Sequence, residues 1–154
     1  MSGFSIPRVA VPATLRMTGG QPLDGEIYVM ERVTQHAGPE TPLDMLNRAE
    51  GFFPFRPRAG TAAVLLVAKS RTVTLTVSPP PADSARLSAA KQASLVLTLA
   101  DGSELSGSAT LELPEHHSRI LDYLNAVEPF FVIATADHMH IVNRAHVLYA
   151  RPED

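Results

Sequence analysis

The chain has 154 residues, 45% of them apolar, no cysteine and a formal net charge of −3. That is room for one ordinary domain or two small ones, with enough apolar content for a packed core. The missing cysteine excludes disulfides, thiolate catalysis and cysteine-based zinc sites, and the acidic total is a poor start for a nucleic-acid binder.

Residues 1–14 lack a basic start followed by an apolar run, so no signal peptide is expected. No stretch approaches the roughly 18 apolar residues of a membrane span. The expectation is a soluble, cytoplasmic protein without a membrane partner. Residues 9–17 alternate loosely and read as a strand, with Pro12 near its start or on an edge. Gly19-Gly20-Gln21-Pro22 is turn chemistry, and 23–33 reads as the second arm of a hairpin. Thr41-Pro42-Leu43-Asp44 starts a short helix: Thr41 caps, Pro42 suits the first position, and Asp44 meets free N–H groups. Gly51 ends it, and Phe52 to Phe55 enter the sheet or core. Residues 62–77 hold two apolar runs around Lys69-Ser70-Arg71, a hairpin or one bent strand.

Ser78-Pro79-Pro80-Pro81 opens a Pro- and Ala-rich linker over 79–94, with a turn or two of helix in its second part. Leu95, Leu97 and Leu99 then alternate along a strand, Asp101-Gly102 makes a hairpin turn, and 104–113 alternates again. A short helix is expected over 118–125, then strands over 130–134 and 140–149.

The two halves repeat each other, and a repeat is read before any motif. Leu43-Asp44-Met45-Leu46-Asn47 with Phe52-Phe53 matches Leu121-Asp122-Tyr123-Leu124-Asn125 with Phe130-Phe131, at the same spacing. Gly20, Leu23 and Gly25 match Gly102, Leu105 and Gly107, and Leu66-Val67-Ala68-Lys69 matches Ile141-Val142-Asn143-Arg144. Each unit reads strand, strand, short helix, strand, strand. The expected fold is mainly β with minor helix: two small SH3-like or Sm-like barrel units, 1–78 and 95–154, packed with pseudo-twofold symmetry.

These motifs, ending in Ile141-Val142-Asn143-Arg144-Ala145-His146-Val147, resemble a family of small bacterial domains of unknown function. That family carries Gly-x-Leu-x-Gly, a Leu-Asp-x-Leu-Asn type helix, a Phe-containing strand and a closing Asn-Lys-x-His strand. The resemblance covers about Leu95 to Pro152; the first half has Ala68-Lys69-Ser70-Arg71 in place of the closing motif. It implies the fold and a bacterial source, and no activity.

Candidate chemistry is sparse. Asp44 and Asp122 lack a partner at acid/base spacing, so they read as residues serving the helix start, with Asn47 and Asn125 capping its end. Leu43, Leu46, Leu121 and Leu124 read as packing down onto the sheet, Leu124 buried like Leu46. Five of six histidines lie in the second half. His138 and His140, with His116, His117 or Asp137, are the candidates for a zinc or nickel site, but no metal signature is present and none is expected. Asp101 to Gly107 resembles the cyclic-di-GMP motif of PilZ-type barrels, yet its Gly falls one residue late and no Arg-x-x-x-Arg precedes it. Arg56, Arg58, Lys69 and Arg71 near Phe53 and Phe55 would supply a basic, stacking surface for nucleic acid, and 131–147 resembles the end of LytTR-type DNA-binding domains.

Residues 1–78 carry eight Lys and Arg against six Asp and Glu, while 79–154 carry five against ten. Opposite charges let the units attract each other, though drift of surface charge also explains them. With no Gly-x-Ser-x-Gly elbow and no cysteine, an enzyme is not expected. The leading reading is a non-catalytic binding or assembly module that recognises a protein partner or itself, without a cofactor. The alternatives are a metal- or small-ligand sensor using the histidines, and a nucleic-acid-binding barrel.

Overall fold

Among the described residues, alternating apolar side chains place ten strands in one antiparallel sheet. The computed structural model describes residues 8–31, 38–59, 63–79, 91–111 and 120–153. The first half contains β1 (Arg8–Met17), β2 (Leu23–Met30), α1 (Pro42–Asn47), β3 (Phe52–Pro57) and β4 (Leu65–Ala68), then a 3₁₀ turn at Lys69–Arg71 and β5 (Thr72–Val77). The second half contains β6 (Lys91–Leu99), β7 (Glu104–Leu111), α2 (Ile120–Leu124), β8 (Phe130–Ala134) and β9 (Met139–Asn143), then a 3₁₀ turn at Arg144–His146 and β10 (Val147–Glu153).

The fold is mainly β, as expected. The sheet runs β10-β6-β7-β8-β9-β5-β1-β2-β3-β4 and is not closed. Two expectations are thereby corrected. One sheet passes through both halves, and the halves meet head to tail rather than around a pseudo-twofold axis. The fifth strand of the first half pairs with the fourth strand of the second: Thr74 opposite Val142, Leu75 opposite Ile141, Thr76 opposite His140, Val77 opposite Met139.

Residues at matching positions of the two halves pair in the same register. Phe52 and Phe53 stand opposite Ala68 and Val67, just as Phe130 and Phe131 stand opposite Asn143 and Val142. Leu15 faces Leu23 as Leu97 faces Leu105. The fifth strand bulges at the same place in both halves, leaving Val73 and Leu148 without opposite partners. The shared hairpin glycines have one steric cause. A Cβ on Gly25 would lie 2.2 Å from the Arg56 carbonyl oxygen, and one on Gly107 would lie 2.5 Å from an Ile133 methyl. Only a bare backbone lets the third strand cross so close.

Several boundaries move. β6 begins at Lys91, inside the stretch expected as linker. The strands expected over 62–77 and 140–149 are each broken by a 3₁₀ turn, because Lys69 and Arg144 turn back to the helix ends. β2 ends at Met30. The first part of the expected second helix, 118–119, lies outside the described residues.

Two apolar cores form, and the seam strands serve both. Leu15, Ile27, Val29, Met45, Leu46, Phe53 and Phe55 belong to the first, together with Phe130 and Ile141 from the second half. Leu95, Leu97, Leu99, Phe131, Ile133 and Val142 belong to the second, together with Val73 from the first half. Consecutive apolar residues such as Phe130-Phe131 and Ile141-Val142 thus face opposite cores, which is why alternation fails there.

Candidate functional site

The repeated helix motif is an anchoring device. Thr41 Oγ1 accepts from the Asp44 N–H at 3.0 Å, and the Thr41 N–H donates to the Asp44 carboxylate at 3.0 Å, the capping box expected from the sequence. Asp122 occupies the equivalent first turn of α2 and is exposed. Leu46 is fully buried and Leu43 half-buried on the first core. Leu124 is only half-buried and Leu121 is exposed, which corrects the expected burial of Leu124. Their cover differs because α1 packs against β8 of the other half.

Asn47 does not cap its own helix, as the sequence suggested. Its Nδ2 donates to the Phe130 carbonyl at 3.2 Å, and its Oδ1 accepts from the Phe130 N–H at 2.9 Å. Arg144 N donates to the Pro129 carbonyl, so ladder parity turns the polar groups of Phe130 away from β9 and toward Asn47. One carboxamide thereby clamps the two halves. Asn125, its counterpart, is exposed.

The basic residue after the fourth strand closes each helix. Lys69 Nζ donates to the carbonyls of Met45 and Arg48 at 2.9 and 3.1 Å. Arg144 Nη1 donates to those of Tyr123 and Leu124 at 3.0 and 2.6 Å, with its guanidinium carbon 4.7 Å from the centre of the Phe131 ring. Cations on terminal carbonyls complement the helix dipole. Burial, and then the Arg48 charge, hold the Lys69 ammonium below its usual value. The repeated Lys/Arg position was the sequence signal for this contact.

Asn143 is the buried polar centre of the junction. Its Nδ2 donates to the carbonyls of Lys69 and Thr72, and its Oδ1 accepts from the Ala145 N–H. Around it, His146 Nε2 lies 2.8 Å from the Ser70 carbonyl oxygen, and Thr76 Oγ1 lies 2.9 Å from His140 Nδ1. Arg16 pairs with Asp101 and donates to Ser103 Oγ at 3.0 Å, an ion pair that joins the oppositely charged halves.

The other candidate sites separate. His138 and His140 have ring centres 6.0 Å apart, and burial, then His138, lowers the His140 pKa. Among the described residues no group of three His, Cys, Asp or Glu side chains is placed to hold an ion. His116 and His117 lie outside the described residues. The basic set does not form a stacking surface: Lys69 is buried, Arg56 donates to the Tyr28 hydroxyl at 2.9 Å, and Phe53 and Phe55 are buried. Among the described residues no helix is long and apolar enough to cross a membrane.

Val9, Leu121 and Val127 are exposed singly, and the other large exposed apolar side chains gather at the two ends of the sheet. Among the described residues β4 pairs only with β3, and β10 only with β6. Phe52 is 63% exposed although its counterpart Phe130 is 3% exposed, and Leu66 is 74% exposed although Ile141 is fully buried. Leu148 is 59% exposed, against 7% for its counterpart Val73. Val64, Leu65 and Tyr149 extend the same two edges. Among known proteins, no family model, no curated sequence and no solved structure matches the chain.

Proposed function

We propose that the chain is a non-catalytic binding and assembly module, built from two small SH3-like or Sm-like β units and recognising protein at its open sheet edges. The unit reading is supported by one strand order in both halves, fifth-first-second-third-fourth, with a helix before the third strand and a 3₁₀ turn before the fifth. The observation that carries the function is the pair of unpaired edge strands, each fringed with exposed Phe, Leu, Val or Tyr. An unpaired strand offers main-chain donors and acceptors to a partner strand, and exposed apolar side chains add contact area beside them. The chemistry-bearing residues meanwhile serve the fold: Asp44 caps a helix, Lys69 and Arg144 hold helix carbonyls, and Asn47 and Asn143 join the halves.

The test is site-specific photocrosslinking in extract of the native host, with the photoreactive residue at position 66 or 148 and a control at exposed Asp122. Protein adducts at the two edges and none at the control are expected. Adducts to nucleic acid, or an edge yield no higher than the control, would overturn the reading.

A further inference from the structure

The junction inside the chain is a template for one between chains. It joins a fifth strand, β5, to a fourth strand, β9. The two edges left over are a fourth strand, β4, and a fifth strand, β10. They are the same two kinds of edge, one at each end of the molecule. We propose that a second copy of this chain is the occupant: β10 of one molecule adds to β4 of the next, in the register of β5 on β9. This rests on the edge-recognition reading and names its partner.

Register equivalence gives the pairs. Thr74 opposite Val142 becomes Tyr149 opposite Val67, Leu75 opposite Ile141 becomes Ala150 opposite Leu66, and Thr76 opposite His140 becomes Arg151 opposite Leu65. Pro152 falls opposite Val64 and ends the ladder, having no N–H to donate.

The side chains agree with the strands. Phe130 and Ile141 complete the first core from across the internal junction, and their counterparts Phe52 and Leu66 lie in solvent. In the new junction they enter the second core of the neighbouring molecule, on which Ala150 already packs. Val73 crosses the internal junction into the second core beside Val142. Its counterpart Leu148 would cross the other way, onto Val67 in the first core of the next molecule.

The clamp is duplicated too. Lys69 N donates to the Gly51 carbonyl as Arg144 N does to that of Pro129. The N–H and C=O of Phe52 therefore turn away from β4 as those of Phe130 turn away from β9. Asn125 of one molecule stands where it would hold Phe52 of the next, as Asn47 holds Phe130. A helix Asn and a Phe pair in both copies are thus all used in an assembly, whereas a lone chain uses one clamp.

The new junction is the weaker of the two. Ala68 stands where the internal junction has Asn143, and Arg151 with Leu65 replaces the Thr76–His140 contact. Association is accordingly reversible on dilution. Unlike edges joined head to tail generate rings if the rotation closes and filaments if it does not.

Sedimentation velocity reads this directly, from about 1 to about 200 μM, where small interfaces populate. Wild-type mass is expected to rise above one chain. Leu66→Asp blocks β4 and Leu148→Asp blocks β10; both residues are exposed, so both variants keep the fold. Each variant alone should stay monomeric. Their equimolar mixture should form a dimer of two chains and stop, because one intact β10 meets one intact β4. A monomeric wild type, a mixture that stays monomeric, or a single variant that still dimerises would overturn the proposal. Edge photocrosslinks to other proteins, with a monomeric wild type, would leave the binding-module reading standing without it.

Discussion

Asn47→Ala and Asn125→Ala change the same residue at the same position of the repeat, and they should differ widely in cost. Asn47 makes two hydrogen bonds to the backbone of Phe130, at 3.2 and 2.9 Å, and Phe130 is 3% exposed. Removing the carboxamide leaves a buried N–H and a buried C=O without a partner. Each such group costs about 1–3 kcal/mol. Partial relaxation toward water brings the expected total to about 2–4 kcal/mol. With a urea slope of about 2 kcal/mol per molar, the midpoint falls by roughly 1–2 M. Asn125 is exposed, and its truncation in a dilute monomer should stay within about 0.5 kcal/mol. Far-UV circular dichroism in urea, at a few micromolar chain, measures both. Equal midpoint shifts, or an Asn47→Ala loss below about 0.5 kcal/mol, would refute the clamp. At high concentration the order reverses for association: Asn125→Ala should lower the oligomer mass while Asn47→Ala changes the stability of the single chain.

Three further outcomes follow from the packing. Gly25→Ala and Gly107→Ala should each destabilise by about 1–3 kcal/mol or more, since the added Cβ meets atoms at 2.2 and 2.5 Å; a neutral change by urea denaturation would contradict the close crossing. Leu46→Ala should cost about 2–5 kcal/mol, and Leu124→Ala distinctly less, because Leu46 is fully buried and Leu124 half-buried; equal costs would show that α2 is docked as tightly as α1. His140 has its pKa lowered by burial and then by His138, so folding favours the neutral ring. Its contribution is complete above the usual histidine value of about 6.5 and is lost as pH falls through the lower folded value. Stability measured from pH 7.5 to 5.5 should decline once pH falls below about 6.5, and His140→Gln should flatten the decline; an unchanged profile would count against the buried ring.

The repeat was legible because both copies use the same residues for the same local jobs. Thr41 and Asp44 announce a helix cap, while Gly25 with Gly107 and Lys69 with Arg144 show only as matching positions, whose roles in a close crossing and in closing the helix end come from the structure. Their partners lie within one unit or within the local chain. The head-to-tail order was not legible. It depends on β5 finding β9 rather than β10, and no local preference states which edge meets which. The roles of Asn47 and Asn143 were hidden for the same reason: their partners lie 83 and more than 70 residues away. A helix-terminal Asn reads as a cap in any sequence, and only the fold shows it reaching Phe130. Phe52 and Phe130 look identical along the chain, yet one is covered and the other is not. That difference follows from their place in the sheet order and not from their neighbours in sequence.

Disulfide trapping tests the head-to-tail edge pairing most directly, because the chain contains no cysteine to compete. Leu66→Cys is made in one preparation and Ala150→Cys in another, at positions that correspond to the facing pair Leu75 and Ile141. Facing residues of antiparallel strands have Cα atoms about 4.5–5.5 Å apart, within the reach of a disulfide. Mixed and oxidised mildly, the two proteins should form the 66–150 heterodisulfide as the dominant product. Dominance of 66–66 or 150–150 dimers, or no crosslink above that of an Asp122→Cys control, would contradict the head-to-tail junction.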